Sequence, residues 1–553
     1  MYQHGRVYKI LIIFLPGILF CFIIYSQEIQ HYCSSENGVV GAGRKGSAEA
    51  GIQMLTRGGN SADGAAATIL ALSITDYGSY CIGAEVPLMF FDAKTKKVKV
   101  FSGMGTAPRD PEAIQWYYEN GIPPGDIKAA AVPAVIDLVV TLLQHCGSMS
   151  FEDISQPALT LLARENEPWY PDLAVTIDKL IDAERNASGS RNKKLQAVAD
   201  RFYRGDIADD LVAWYARMGG FLTKEDLALH RTHIEEPVTI NYKGYQICKC
   251  GPWTQGPVLC QTLKLLEGFD LKSMGHNSAL YIHTVIEALK LAMADRDRYY
   301  GDPIFVDVPL EALLSEEYCL MRRTLIDMNR AGQIPRPGDP VNMKPVIDSG
   351  KFEAWPEGTT TCVVADKFGN LVAATPSGWG NDDETGGNTG VTHGTRLISL
   401  NTAKGHPNRI EPGKRPRITL TPTIVLREGH PVMAISVAGG DLQDQTALQV
   451  LLNIIEFDMD PFRAANAPRF ANYLHQDSFN PDPVRYRTVP DPPVIQINRE
   501  VSTEKIEGLA SKGHMIDQTE GAIGVPAIVF IDKDGMKHAA TDIKTLQEVS
   551  SSE

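Results

Sequence analysis

Residues 358–375 read GTTTCVVADKFGNLVAAT, and the rest of the chain is read outward from this stretch. Thr360–Ala365 and Leu371–Thr375 are rich in β-branched and small apolar residues. Asp366-Lys367-Phe368-Gly369-Asn370 between them supplies turn formers, so the stretch predicts a β-hairpin. Before it lies a Pro/Gly-rich run, AGQIPRPGDPVNMKPVIDSGKFEAWPEG at 331–358, with the composition of a linker. A linker running straight into a strand puts Thr359 at the junction. Its hydroxyl can attack the preceding carbonyl, which Gly358 leaves sterically open. A cut there would give Thr359 a free α-amine of reference pKa about 8, able to serve as the general base that a lone threonine lacks. Taken alone, Gly-Thr-Thr-Thr at a strand start is ordinary β-propensity.

Two further elements bear on the same chemistry. Ala438-Gly439-Gly440 ends an apolar strand just before a helix, and paired glycines let consecutive backbone N–H groups approach an oxyanion. Glu411-Pro412-Gly413-Lys414-Arg415-Pro416-Arg417-Ile418-Thr419 is a rigid, basic, hydroxyl-bearing loop. Lys414, Arg415 and Arg417 could anchor a carboxylate there, although an exposed basic turn is the usual explanation of such residues.

Around these elements the chain divides by texture. Helices are predicted from Ser47 to Gly58-Gly59, from about Ser61 to Ile74, and from Ser278 to Arg296, the last with Asn277 or Ser278 as cap. Residues 127–330 read as mainly helical. Strands are predicted at 86–92 and 97–102, and a second late hairpin at Thr419–Leu426 and Pro431–Ala438, followed by a helix from Leu442 to about Phe457. Helix-rich and strand-rich stretches lie apart in sequence, which predicts a layered α+β architecture of sheets covered by helices.

The 553 residues are 43% hydrophobic and carry a formal charge of −14. That composition fits a globular protein with a large core and excludes a nucleic-acid binder, which needs a basic face. Arg6 and Lys9 precede an apolar run from Ile10 to Tyr25, followed by Ser26-Gln27-Glu28. This is the layout of a secretory signal or an uncleaved signal anchor over residues 1–26, so the catalytic part is expected to be exported, either periplasmic, extracellular or anchored at a membrane. Of nine cysteines none forms a C-x-x-C pair, and Cys248 and Cys250 are expected on opposite faces of a strand, so no zinc site is expected.

Several longer motifs stand in one order: AGIQMLTRGGNSADGAAA at 50–67, GFLTKEDL at 220–227, LLEGFDL at 265–271, EALKLAMADRDRYYGDP at 287–303, the 358–375 stretch, EPGKRP at 411–416, TPTIV at 421–425 and ANAPRF at 465–470. Together they resemble the γ-glutamyltransferase (glutathione hydrolase) family of N-terminal-nucleophile hydrolases, over residues 40 to 535. The resemblance implies a four-layer αββα sandwich, made as one precursor and cut between Gly358 and Thr359. A large subunit (27–358) and a small one (359–553) would then partner each other. Thr359 would be the nucleophile, Ser377 would support its amine, Gly439 and Gly440 would form the oxyanion hole, and Thr419 and Ile418 would fall on the two positions that hold the substrate's α-carboxylate. No metal or organic cofactor is implied.

The departures concern the substrate. The family's carboxylate-clamping arginine aligns with Met104 in Gly103-Met104-Gly105-Thr106-Ala107-Pro108, an asparagine position is Trp379, and the usual Gly-rich run reads Gly83-Ala84-Glu85-Val86. The acidic segment that grips the α-amine is missing between Thr392 and Asn408. Losing a bidentate clamp should change the substrate. Met104, Trp379 and Ile418 would make the acyl pocket more apolar, with Arg417, Arg415 and Asp382-Asp383-Glu384 as replacement partners. The expected activity is that of an amidohydrolase or acyltransferase working through an acyl-threonine on a small amide or peptide, with altered acyl specificity. Two alternatives stay open: a true glutathione or γ-glutamyl hydrolase, and a catalytically silent homologue used as a binding protein.

Overall fold

The computed structural model describes residues 29–44, 46–347, 359–378, 385–479 and 493–553, and the backbone of 9–15 and 18–24. Gly358, Trp379 and Asp382–Glu384 lie outside the described residues. In the apolar leader, Lys9–Leu15 pairs antiparallel with Ile18–Ile24. No helix among the described residues is long and apolar enough to cross a membrane.

Two seven-stranded antiparallel sheets carry the fold. The first runs, in spatial order, Glu548–Ser551, Gly38–Ala42, Cys362–Asp366, Leu371–Ala374, Leu88–Asp92, Lys97–Phe101 and Ile234–Glu235. The second runs Tyr32–Ser35, Lys537–Thr541, Val525–Ile531, His430–Ala438, Thr423–Arg427, Tyr245–Lys249 and Val238–Tyr242. Both sheets contain strands from before and from after residue 359, paired with one another. The hairpin expected at 360–375 forms, with Val363 opposite Ala373 and the turn closed by Asp366, whose carboxylate accepts from the Phe368 and Asn370 amides at 2.8 and 3.0 Å.

Small residues let the sheets lie face to face. Val39, Met89, Val100, Val363, Ala365, Ala373, Ile424, Ala434 and Ala527 share one buried core between them. Outside the first sheet pack Ser47–Thr56, Ser61–Thr75, Val135–His145 and the helices up to Met218. Outside the second pack Pro257–Leu266, Ala279–Tyr299 and Gln443–Ile455. The result is the αββα sandwich. Asn60 caps the second helix through a capping box with Asp63, and Ser278 caps Ala279–Tyr299 through the Tyr281 amide at 3.0 Å.

Three expectations need correction. Cys248 and Cys250 both face the core between the sheets, because residues two apart on an extended chain share a face. The strand expected from Thr419 starts at Thr423, since Pro422 has no N–H to give a ladder and Ile418 instead bridges Thr254. The basic loop is no exposed turn: Lys414, Arg415 and Arg417 are all buried. The eight cysteines from Cys33 to Cys362 carry free thiols.

Candidate functional site

Thr359 enters the first sheet as a single bridge to Ser377, placing its Oγ1 3.3 Å from the Ser377 Oγ. The next two threonines fix that approach. Thr360 donates its amide to Pro376 O (3.0 Å) and its hydroxyl to Asp76 (3.0 Å), while Thr361 accepts from Gln547 at 2.8 Å. Thr359 alone of the three keeps partial exposure. The sheet thus holds the backbone that follows a reachable hydroxyl.

Behind Ser377 stands a buried ion pair that motif reading missed. Arg396 donates from Nη2 to Ser377 Oγ at 2.8 Å and from Nε to Glu85 at 2.5 Å. Glu85 and Ser377 also bridge each other through their backbones. Burial raises the Glu85 pKa and Arg396 opposes that rise. The one sequence signal was Glu85 itself, a charge in a run where the family is glycine-rich. Its partner lies 311 positions away.

Gly439 and Gly440 follow the central strand His430–Ala438 with φ of 134° and 54°, a backbone that only glycine adopts without strain. A Cβ on Gly440 would lie 3.1 Å from the Phe479 ring, and that ring lies 5.3 Å below the Arg396 guanidinium. Phe479 therefore lies between the glycine turn and Arg396, which bonds Ser377 beside Thr359. Thr375 and Ser436, hydrogen-bonded at 3.0 Å, tie the two sheets at the same level.

A buried network backs the glycine turn. Arg296, delivered by Ala279–Tyr299, bonds Asp441, Asp297 (2.9 Å), Gln255 (2.8 Å) and Gln476 O (2.8 Å). Gln255 reaches Gly440 O at 3.5 Å, while its backbone amide bonds Ile418 O at 2.9 Å. Asp441 also takes Ser478 Oγ at 2.6 Å, and Ser478 takes Arg417 Nη1 at 2.6 Å. Burial works to raise the Asp441 pKa, but Arg296, His475 and Arg417 outweigh it and hold the carboxyl well below the usual range.

The expected substrate positions fall as follows. Ile418 is fully buried in the core between the sheets. Thr419 is buried beside it, its hydroxyl meeting no partner among the described residues. Met104 lines a cavity of about 160 Å³ with Arg109, Asp302 and Arg415. Arg415 is paired with Asp302 (2.9 Å) and Glu235 (2.8 Å), and Arg417 bonds Ser478 Oγ through Nη1 (2.6 Å).

Away from this centre, ligand atoms of His283, Glu287 and His514 lie within 4.8 Å of one another. They are already engaged: His283 with His514 (2.8 Å) and Asp327 O (2.8 Å), Glu287 with Lys290 (2.8 Å) and Arg336 (2.9 Å). The two cations around one carboxylate oppose a divalent ion, and the cluster reads as structural. Burial, helped by Lys290, His283 and Lys512, pushes the His514 imidazole down to about 3. On acidification the unfolded histidine takes its proton first. Stability present at neutral pH is then lost as pH falls from about 6.5 towards 3, by about 1.4 kcal/mol per unit. Melts of His514→Asn between pH 7 and 4 should show a flatter acid slope than wild type, and an unchanged slope would contradict the assignment.

The gamma-glutamyltranspeptidase family model matches residues 47–192 and 170–552. The chain is 26% identical to the glutathione hydrolase proenzyme of Escherichia coli (strain K12), over 95% of this chain and 93% of that protein. The solved structure of LmbA2991HD superposes with a TM-score of 0.85 at 28% identity, covering 96% of this chain and all of that one. The cephalosporin acylase from Bacillus halodurans gives 0.78 at 25% identity, covering 98% and 99%. With its αββα sandwich and a threonine at the mouth of the central hairpin, the chain belongs to the gamma-glutamyltranspeptidase family of amidohydrolases and acyltransferases, as a divergent member.

Proposed function

We propose that this chain is an exported enzyme that cuts itself before Thr359 and then transfers or hydrolyses acyl groups through an ester on that threonine. The observation that carries the reading is the 3.3 Å approach of Thr359 Oγ1 to Ser377 Oγ, linked through Arg396 and Phe479 to the glycine turn at 439–440. In the self-cleavage, Thr359 Oγ1 attacks the Gly358 carbonyl, the C–N bond breaks so that the amine is freed and takes up the hydroxyl proton, and water then hydrolyses the ester to the Gly358 carboxylate and the Thr359 hydroxyl. In turnover the amine takes the hydroxyl proton as Oγ1 attacks the substrate amide and passes it to the departing amine. Export rests on the basic start and apolar run of residues 6–25.

N-terminal sequencing of bands from a denaturing gel tests this directly. A fragment beginning at Thr359 is expected. A chain that stays intact on ageing would leave the silent-homologue reading.

For the acyl group, we infer one without the amino-acid end of a γ-glutamyl unit. Met104 stands where the family's clamp arginine falls, and Arg415 is paired with Asp302 and Glu235. The likeness to a cephalosporin acylase supports the same direction. Glutaryl and simple acyl anilides should be cleaved in preference to γ-glutamyl anilide. Met104→Arg should shift that ratio towards γ-glutamyl by roughly tenfold, the scale of one charged hydrogen bond. A γ-glutamyl preference in the unaltered protein would instead support a glutathione hydrolase like the E. coli relative.

A further inference from the structure

Arg396 is buried, within hydrogen-bond reach of the residue that touches the nucleophile, and is paired with the buried carboxylate of Glu85. Because a guanidinium can only donate, the 2.8 Å bond from Nη2 makes Ser377 Oγ an acceptor on that side. The serine proton is then directed away from Arg396, and Thr359 Oγ1 lies within its reach. The Arg396 Nη1 meets no acceptor among the described residues, so Glu85 offsets the cation through Nε alone.

Resting on the acyl-threonine reading above, we propose that the Glu85–Arg396 pair is a positioning and tuning device for the α-amine of Thr359. Arg396 presents Ser377 as a donor to Thr359, and its cation keeps the freed amine in the neutral, proton-accepting form, while Glu85 limits how far that effect goes. A nearby cation disfavours a second positive charge, and a nearby carboxylate favours it. Opposite effects from the two partners of one ion pair are the signature to seek.

Other charged groups border this region and stay in place in the test. Asp76, bonded to Thr360 and to the Arg44 amide, lies on the neighbouring residue's side. Tyr80 and Cys362 are neutral, burial pushing both of their pKa values up. Beyond Phe479 and Gly440, Asp441 is balanced by Arg296 and Arg417.

The test reads the amine itself and needs no substrate. Purified wild type, Arg396→Met, Arg396→Lys and Glu85→Gln are treated with cyanate across pH 5 to 10, and carbamylation of the fragment starting at Thr359 is followed by mass. Relative to wild type, the titration midpoint should rise by about one unit in Arg396→Met, fall by about one unit in Glu85→Gln, and stay near wild type in Arg396→Lys. A merely structural pair would lower the melting temperature and leave the midpoints together, which would overturn the inference. Folded variants that remain uncut would overturn it too, since the pair would then act on cleavage. Should Arg396→Met fail to fold, Glu85→Gln, which retains the cation and an acceptor for it, carries the comparison. Absence of any Thr359 fragment from wild type would instead remove the proposed function on which the inference stands.

Discussion

Thr359→Ala is expected to give one uncut chain and no measurable turnover. Removing the nucleophile of an acyl-transfer enzyme costs about 10⁶ in kcat, and here the same change also prevents the amine base from being released. Ser377 cannot stand in, because Arg396 and the Glu85 backbone hold it in the sheet behind the reactive position. The fold should survive. Thr359 is partly exposed and gives up one 3.3 Å hydroxyl contact, a loss of about 1 kcal/mol or less. A denaturing gel with a thermal melt separates these outcomes. Two fragments from Thr359→Ala would assign the cut to an outside protease and sink the mechanism. Thr359→Ser, which keeps a hydroxyl and an amine, should still be cut.

The largest effect on stability is expected from Arg296→Met. Its guanidinium is fully buried and answers Asp441, Asp297, Gln255 and Gln476 at once. Removing one partner of a buried pair strands the other charge and costs about 3–5 kcal/mol. Because Gln255 also reaches Gly440 O, the glycine turn should lose definition, and cleavage should slow along with the fall in melting temperature. Adding Asp441→Asn should recover part of the loss, since the stranded charge is then gone. Asp441 titrates far below its unfolded value, so its contribution is fully present above about pH 4 and fades only as pH drops towards its folded pKa. A single variant within about 1 kcal/mol of wild type would contradict this account of the network.

Local signals in the sequence were good guides to local structure. Ser278 as cap, the helix after it, and the hairpins at 366–370 and 427–430 all follow from side-chain period and turn residues, which act over a few positions. Pairing partners were not legible. Gly38–Ala42 inserts between Glu548–Ser551 and Cys362–Asp366, and nothing in five small residues announces neighbours more than 300 positions away. The same holds for the site. Thr359 and the glycine pair stand out because their chemistry is local, whereas Glu85, Arg396, Gln255 and Arg296 acquire meaning only from the partners that folding brings to them. The basic loop failed for a related reason: its charges look solvated until Asp302, Glu235 and Ser478 arrive to neutralise or bond them.

The mixing of strands from either side of residue 359 within each sheet makes the two halves woven rather than docked. After a cut before Thr359, Gly38–Ala42 would still be clasped on both edges by strands of the other piece, and Tyr32–Ser35 would still lie against Lys537–Thr541. Neither piece could leave without breaking ladders that run through the middle of the sandwich. Separation and unfolding would be one event, its midpoint rising with protein concentration, and pieces from different molecules would not exchange at any temperature at which the protein still works.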